Sequence, residues 1–212
     1  MIVAPHLDDA ALSCWSLLAG GSAGRAGAAL GPVTVVVACA GLPPEGVLGE
    51  WDDRGGAASS RARVLERHAE ERAALAPTGA ALVLLGLLDW QYGPRGEDVA
   101  AALAPHLADP AAWVAVPAGI GGHRDHQRVR DAALGLRPDA LLWADLPYAL
   151  RHGFEPPLPG YIPEERLLDD AAVAAKLAAV ACYPTQLPQL EQDFGPLLHP
   201  AALRREVLFH RV

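Results

Sequence analysis

Two short stretches of this chain carry residue types suited to hydrolysis. The first is Pro5-His6-Leu7-Asp8-Asp9, at its very start. An imidazole and a carboxylate at positions i and i+3 can reach one metal ion from a single turn. The carboxylate between them is left free to move a proton. The second stretch is His123-Arg124-Asp125-His126. Two histidines and one aspartate, with a fourth position left to water, make an open zinc site. Such an ion lowers the pKa of its water to about 7 and polarises a carbonyl. The candidate ligands are His6, Asp9 and His126, with Asp8 as general base. His123 is expected as an imidazolium that steadies an oxyanion or the leaving amine. Asp125 is expected to orient one of the two histidines. Fe2+ suits the same donors as Zn2+.

These residues work together only if the fold brings distant segments to one place. Ile2 to Ala4 reads as a short strand, after which Asp8 or Asp9 caps a helix running to Leu18 and stopped by Gly20-Gly21. Val33 to Ala38 is a β-branched run without alternation, as in a strand buried on both faces. Gly41 to Ser60 has no period and reads as a long loop of the kind that binds ligands. Ser59 or Ser60 caps a helix over Arg61 to Ala76. Ala81 to Leu85 reads as another buried strand, Asp98 to Leu107 as a helix and Ala112 to Val116 as a strand. Gly119 to Gly122 form a turn, and a helix runs from His123 to Leu134 with Gly135 as its stop. Ala140 to Ala144 is a further strand. Arg151 to Glu165 reads as irregular, and Asp169 or Asp170 caps a helix to Cys182. Tyr183 to Pro200 is loop with one short turn of helix, and Glu206 to His210 is a last edge strand.

Buried strands alternating with helices mean a parallel α/β sheet with right-handed crossovers. In such sheets ligands gather beyond the carboxyl ends of the strands. His6 to Asp9, Asp89, His123 to His126 and Asp145 each follow a strand directly, so they are expected on one rim.

The bulk properties narrow the classes. A chain of 212 residues, 51% hydrophobic and 20% charged, fits one globular domain with a full core. A formal net charge of −8 argues against phosphate-backbone binding as its main work, so no nucleic acid is expected. Three cysteines, an odd number with no CxxC, suggest reduced thiols and a cytoplasmic setting. No signal peptide is expected. The longest apolar stretch, Ala28 to Ala40, is broken by Gly31-Pro32 and is too short for a bilayer span of roughly 20 residues.

The two motifs resemble the paired signatures of the PIG-L/LmbE-like zinc N-deacetylases. Arg67-His68-Ala69-Glu70 resembles that family's Arg-x-x-Glu helix, and Gly86-Leu87-Leu88-Asp89 its strand-end aspartate. Lys176 through Tyr183-Pro184-Thr185-Gln186 is similar to its late helix and Ser/Thr-Gln element. Two positions depart from the common pattern, since Leu7 replaces a proline and Ala10 a glutamate. A subset resembling deacetylases of secondary-metabolite glycosides shares both. The resemblance implies a Rossmann-like three-layer α/β/α fold with a mostly parallel sheet, formed by one domain over residues 1–212. It implies hydrolysis of an N-acetyl group on an N-acetylglucosamine-type conjugate or related small amide. It also implies His6, Asp9 and His126 as zinc ligands, Asp8 as base and His123 as its electrostatic or acid partner, with Arg67 and Asp89 near the sugar. The expected partner is a small N-acetylated sugar or glycoside, with a homo-oligomer left open. The rival readings are a hydrolase of another amide or ester, and a sugar-binding protein without catalysis. Retention of Asp8 beside a full ligand set weighs against the latter.

Surrounding residues carry weaker expectations. Asp52-Asp53-Arg54 reads as a solvated loop that reaches substrate hydroxyls at most. Arg67 and Glu70 are placed to pair on one helix face. Tyr148, Arg151 and Tyr161 fall in a segment that could close over the site.

Overall fold

The computed structural model describes residues 1–20, 31–93 and 96–212. Gly21 of the expected helix stop, and residues 28–30 of the expected apolar stretch, lie outside the described residues. One seven-stranded sheet organises the fold, in the order β3-β2-β1-β4-β5-β7-β6. Its strands are β1 (Ile2–Ala4), β2 (Thr34–Val37), β3 (Ala81–Leu84), β4 (Ala115–Pro117), β5 (Leu141–Trp143), β6 (Tyr161–Leu167) and β7 (Arg205–Arg211). The first five run parallel. β7 pairs antiparallel with both β5 and β6. This is the expected Rossmann-like α/β/α fold with a mostly parallel sheet.

β1 sits between β2 and β4, and all three of its residues are buried. That central place suits Ile2, Val3 and Ala4, which have apolar neighbours on both faces. Its carboxyl end delivers His6. The helices are α1 (Asp9–Ser13), α2 (Trp15–Leu18), α3 (Glu50–Arg54), α4 (Ser60–Leu75), α5 (Val99–Leu103), α6 (Arg124–Leu136), α7 (Tyr148–His152), α8 (Asp170–Val180), α9 (Leu187–Phe194) and α10 (Pro200–Leu203). α8 packs against α1, α2, α4 and α10, while α5 packs against α6, which lies on β1 and β4.

Several local expectations are corrected. The first helix breaks at Cys14 into α1 and α2, and neither Asp8 nor Asp9 caps it through a side chain. Asp9 instead accepts the backbone N–H of His6 at 2.8 Å. Gly135 lies inside α6, which ends at Leu136. The 41–60 loop contains α3, and the stretch from Arg151 to Glu165 contains the end of α7 and the first five residues of β6. β3 is half-exposed because it is an edge strand. β7 is internal, and β6 takes the edge. Pro163, two glutamates and Arg166 on β6 are usual protections of an exposed edge.

A buried ion pair joins α8 to β7 and also anchors the start of α2. Lys176 Nζ lies 2.6 Å from Glu206 Oε1, and both side chains are fully buried. Glu206 also accepts the backbone N–H groups of Trp15 at 2.8 Å and Ser16 at 2.9 Å. It therefore supplies the partner that the start of α2 lacks in its own sequence. Removing one member of a buried pair leaves an uncompensated charge and costs roughly 3–5 kcal/mol. Lys176→Met is accordingly expected to lower the urea midpoint sharply. A midpoint equal to the parent's would mean that this pair holds nothing.

Candidate active site

The loop after β1 and the first turn of α6 meet above the carboxyl edge of the sheet. Asp9 Oδ2 lies 3.6 Å from His6 Nδ1 and 3.5 Å from His126 Nε2. The His6 and His126 ring centroids are 5.2 Å apart. His123 stands beside both, and each of the three histidines offers a ring nitrogen within 4.8 Å of the others.

The far nitrogen of each proposed histidine ligand is held by a carboxylate. His6 Nε2 is 3.2 Å from Asp125 Oδ2, so the histidine that Asp125 orients is His6. His126 Nδ1 is 2.6 Å from Asp145 Oδ1. Asp145 is fully buried, and its other oxygen accepts the N–H of Ile120 at 2.9 Å. Outer carboxylates of this kind fix ring orientation and raise ligand basicity. The sequence placed Asp145 on the rim without a role. Its only sequence signal was its place at a strand end.

His126 Nε2 is buried without a hydrogen-bond partner among the described residues. An orphaned nitrogen facing the Asp9 carboxylate is costly unless something electropositive sits between them. The donor set therefore fits a divalent cation held by His6, Asp9 and His126. A second grouping, His6 with Cys39 and Asp125, fits a cation poorly. Asp125 already accepts from His6, from the N–H of Trp90 at 2.9 Å and from Arg128 at 2.8 Å. Burial pushes the Cys39 thiol up to about 12, so it stays protonated. These residues support the site from outside.

Asp8 is 8% exposed and lines the cavity above the histidines. Burial, then the adjacent Asp9 carboxylate, push its carboxyl well above the usual range. Asp9 behaves oppositely: burial works to raise it, but His126 and His6 outweigh that and hold it low. The two neighbouring carboxylates are driven apart, as acid–base pairs in active sites commonly are.

His123 is corrected in charge. Burial, then His6 and His126, push its pKa down to about 4, so near neutral pH it is not an imidazolium in the metal-free protein. Its Nδ1 accepts the backbone N–H of Asp125 at 3.3 Å, which leaves the single ring proton on Nε2. A neutral N–H donor at the cavity replaces the expected cation.

Glycine shapes this wall. Gly121 has φ 82°, and a Cβ there would sit 2.9 Å from Tyr148 Cβ. The turn thus lets Tyr148 pack edge-on to His126 with centroids 5.3 Å apart.

Arg67 and Asp89 both line the same cavity, of 540 Å³. Arg67 is buried and does not pair with Glu70. Its guanidinium lies 2.6 Å from Asp52 Oδ1, and Tyr92 Oη donates to the other Asp52 oxygen at 2.7 Å. Asp52 is fully buried, which corrects the reading of 52–54 as solvated. Asp53 and Arg54 do remain exposed. Asp89 accepts from the backbone and side chain of Gln91 at 3.0 and 2.9 Å, and lies 4.0 Å from His6 Nε2. Glu70 turns to the late element instead, accepting from Thr185 N at 2.9 Å and Oγ1 at 2.7 Å. Gln186 donates to the carbonyl of Leu7, which ties that element to the His6–Asp9 loop. Tyr148 lines the cavity, Arg151 stacks on Phe194 at 5.0 Å, and Tyr161 belongs to β6, outside the cavity lining.

Beneath this site Glu71 is fully buried and accepts from Tyr183 Oη at 2.7 Å. Burial lifts its carboxyl from 4.5 to about 8, although the Tyr183 bond opposes the shift. A raised folded pKa adds stability that is fully present below 4.5 and is lost as pH rises towards 8. Metal-stripped protein should therefore lose up to about 1.4 kcal/mol per pH unit from this group inside that window. Glu71→Gln should remove that component, as read by denaturant melts at pH 5 to 8. Parallel slopes for parent and variant would refute the buried, protonated carboxyl.

The fold, the paired motifs and their geometry place a candidate hydrolytic site, with residues able to hold a metal ion, on a Rossmann-like sheet. The chain matches the family model of PIG-L, GlcNAc-PI de-N-acetylase, over residues 1–136, and it belongs to that family. Solved structures similar over 100% of this chain include three deacetylases. A deacetylase of the antimicrobial reagent A40926 pseudoaglycone is 30% identical, with TM-score 0.79 and 96% of its own chain covered. A triple mutant of a deacetylase from the teicoplanin biosynthetic pathway is 27% identical, with TM-score 0.80 and 96% covered. The zinc inhibited form of a teicoplanin deacetylase is 25% identical, with TM-score 0.75 and 97% covered. No protein of curated function matches the chain.

Proposed function

We propose that this protein is a metal-dependent N-deacetylase that releases acetate from an N-acetylated amino sugar carried on a small conjugate. The observation that carries the reading is the shared Asp9 oxygen, 3.6 and 3.5 Å from His6 and His126, with Asp8 beside it. Family membership supports the same class of reaction. Residues 1–212 act as one deacetylase unit, a reading supported by the single sheet and its continuous core.

His6, Asp9 and His126 would hold the ion, Zn2+ or Fe2+. The ion supplies Lewis acidity towards the acetamide carbonyl and the attacking water, and its charge offsets the repulsion between Asp8 and Asp9. Asp8 accepts the proton of the water as its oxygen bonds to the amide carbon. His123 Nε2–H donates to the oxygen that becomes negative. Asp8 then returns the proton to the sugar nitrogen as the C–N bond breaks, leaving an amine and acetic acid, which gives its proton to solvent as acetate. Arg67, fixed by Asp52, and Asp89 face the sugar. Among the described residues no helix is long and apolar enough to cross a membrane. Cys14, Cys39 and Cys182 are free thiols, which supports a cytoplasmic setting.

The test joins metal analysis to acetate release over N-acetylated sugars and glycosides. Protein stripped with a chelator should be inactive, and about one equivalent of Zn2+ or Fe2+ should restore turnover. Full activity in the stripped protein would end the metal-dependent reading.

A further inference from the structure

Glu70, Thr185 and Gln186 form a line of contacts to which the chemistry above gives no role. Both oxygens of the buried Glu70 on α4 accept from Thr185, one from its N–H at 2.9 Å and the other from its Oγ1 at 2.7 Å. Two residues earlier, Tyr183 donates to Glu71, the next residue of α4, at 2.7 Å. Arg63 Nη1, also on α4, donates to the Thr185 carbonyl at 3.4 Å. Segment 183–185 is thus gripped by α4, and Pro184 within it restricts the backbone further. The next residue, Gln186, is buried and donates from Nε2 to the carbonyl of Leu7.

That carbonyl belongs to the peptide joining Leu7 to Asp8. The tilt of this peptide sets where the Asp8 nitrogen lies, and with it the direction of the Asp8 Cα–Cβ bond. On its carboxyl side Asp8 is already fixed, because its own carbonyl accepts from Leu12 N at 3.0 Å. Gln186 supplies the hold on the amino side. The candidate metal ligands have separate holds. Asp9 Oδ2 accepts from His6 N at 2.8 Å, and Asp125 and Asp145 orient the two rings. Loss of the Gln186 contact would release Asp8 and leave the ligands in place. Gln186 lines the cavity, whereas Glu70 and Thr185 do not, so any effect of these two on turnover passes through other residues.

We propose that Gln186, braced by Glu70 through Thr185, is a positioning residue that aims Asp8 by fixing the peptide between Leu7 and Asp8. The consequence for turnover rests on the deacetylase reading; the brace itself does not.

The experiment reads kcat, KM, bound metal and amide hydrogen exchange of the holoenzyme in Gln186→Leu, Thr185→Val and Thr185→Ser. Displacing a reacting group by about 1 Å can cost about 10²-fold in rate. Gln186→Leu should therefore lower kcat for acetate release by about 10²-fold and Thr185→Val by about tenfold, with KM and metal content at the parent's values. Thr185→Ser keeps the hydroxyl and should recover most of the kcat lost in Thr185→Val. Placed on top of Asp8→Asn, Gln186→Leu should lower kcat no further, since residues acting as one unit are not additive. A raised KM at parental kcat would make Gln186 a substrate contact, and loss of metal would make it a support of the ligands; either overturns the proposal. So would parental kcat in Gln186→Leu, or a full further loss in the Asp8→Asn background. Exchange separates the brace from the chemistry. The peptide covering residues 1–12 should exchange faster in Gln186→Leu and Thr185→Val, with loosening elsewhere confined to residues 183–187. If the parent releases no acetate, the deacetylase reading fails and exchange still decides. Faster exchange confined to those two segments keeps Gln186 as the hold on the Leu7-Asp8 peptide, while unchanged or chain-wide exchange overturns it.

Discussion

Replacing Asp8 with Asn should lower acetate release by about 10²- to 10⁴-fold while the bound metal stays in place. The substitution keeps the shape of the side chain and removes its ability to take a proton. Asp8 lies outside the proposed ligand set, because the Asp9 carboxylate is the one facing both His6 Nδ1 and His126 Nε2. Metal content by emission spectrometry and turnover must therefore separate in this variant. Turnover at the parent's rate would remove Asp8 from the mechanism. Loss of metal together with activity would instead make it a ligand.

The second large effect is on His126. His126→Ala deletes one of the three proposed metal donors and strands Asp145, which loses its 2.6 Å partner in a fully buried place. We expect metal content to fall close to zero and activity with it, alongside reduced stability from the unpaired carboxylate. Asp145→Asn provides the graded comparison. The ligand remains, but its orienting partner is weakened, and changes of this kind cost about 10- to 100-fold in metal affinity or activity. The expected order of affinity is parent, then Asp145→Asn, then His126→Ala. Full metal occupancy in His126→Ala would eliminate that residue as a ligand, and a parental affinity in Asp145→Asn would reduce Asp145 to a packing role.

Much of the architecture was legible because it rests on local chemistry. The β-branched run before Ala38 and the short apolar segments ending at Ala4 and Trp143 became parallel strands of one sheet, since only burial on both faces suits such runs. Ser59 accepts from Ala62 N at 3.2 Å and Asp169 from Ala172 N at 2.8 Å, so those helix starts were readable from side chains that satisfy exposed N–H groups. The start of α2 was not readable, because its N–H partner, Glu206, lies 190 positions away. β6 was hidden for the same reason. Its proline and charges look like loop, and it is a strand only because β7 pairs with it along its whole length.

The chemistry divides in the same way. The residue types of His6, Asp8, Asp9, His123 and His126, and their place after strands, are matters of sequence, because a parallel sheet sends every strand's carboxyl end to one rim. Tertiary packing alone decided which carboxylate serves which histidine, that Asp52 takes Arg67 away from Glu70, and that His123 is a neutral donor. Hydrogen-bond partners and pKa values depend on distances and burial across segments, and no spacing along the chain encodes those. The proposed site exists only if positions 6 and 126 confront one another across the Asp9 carboxylate. If a metal-loaded crystal showed the cation held elsewhere, the roles given to their neighbours would go with it.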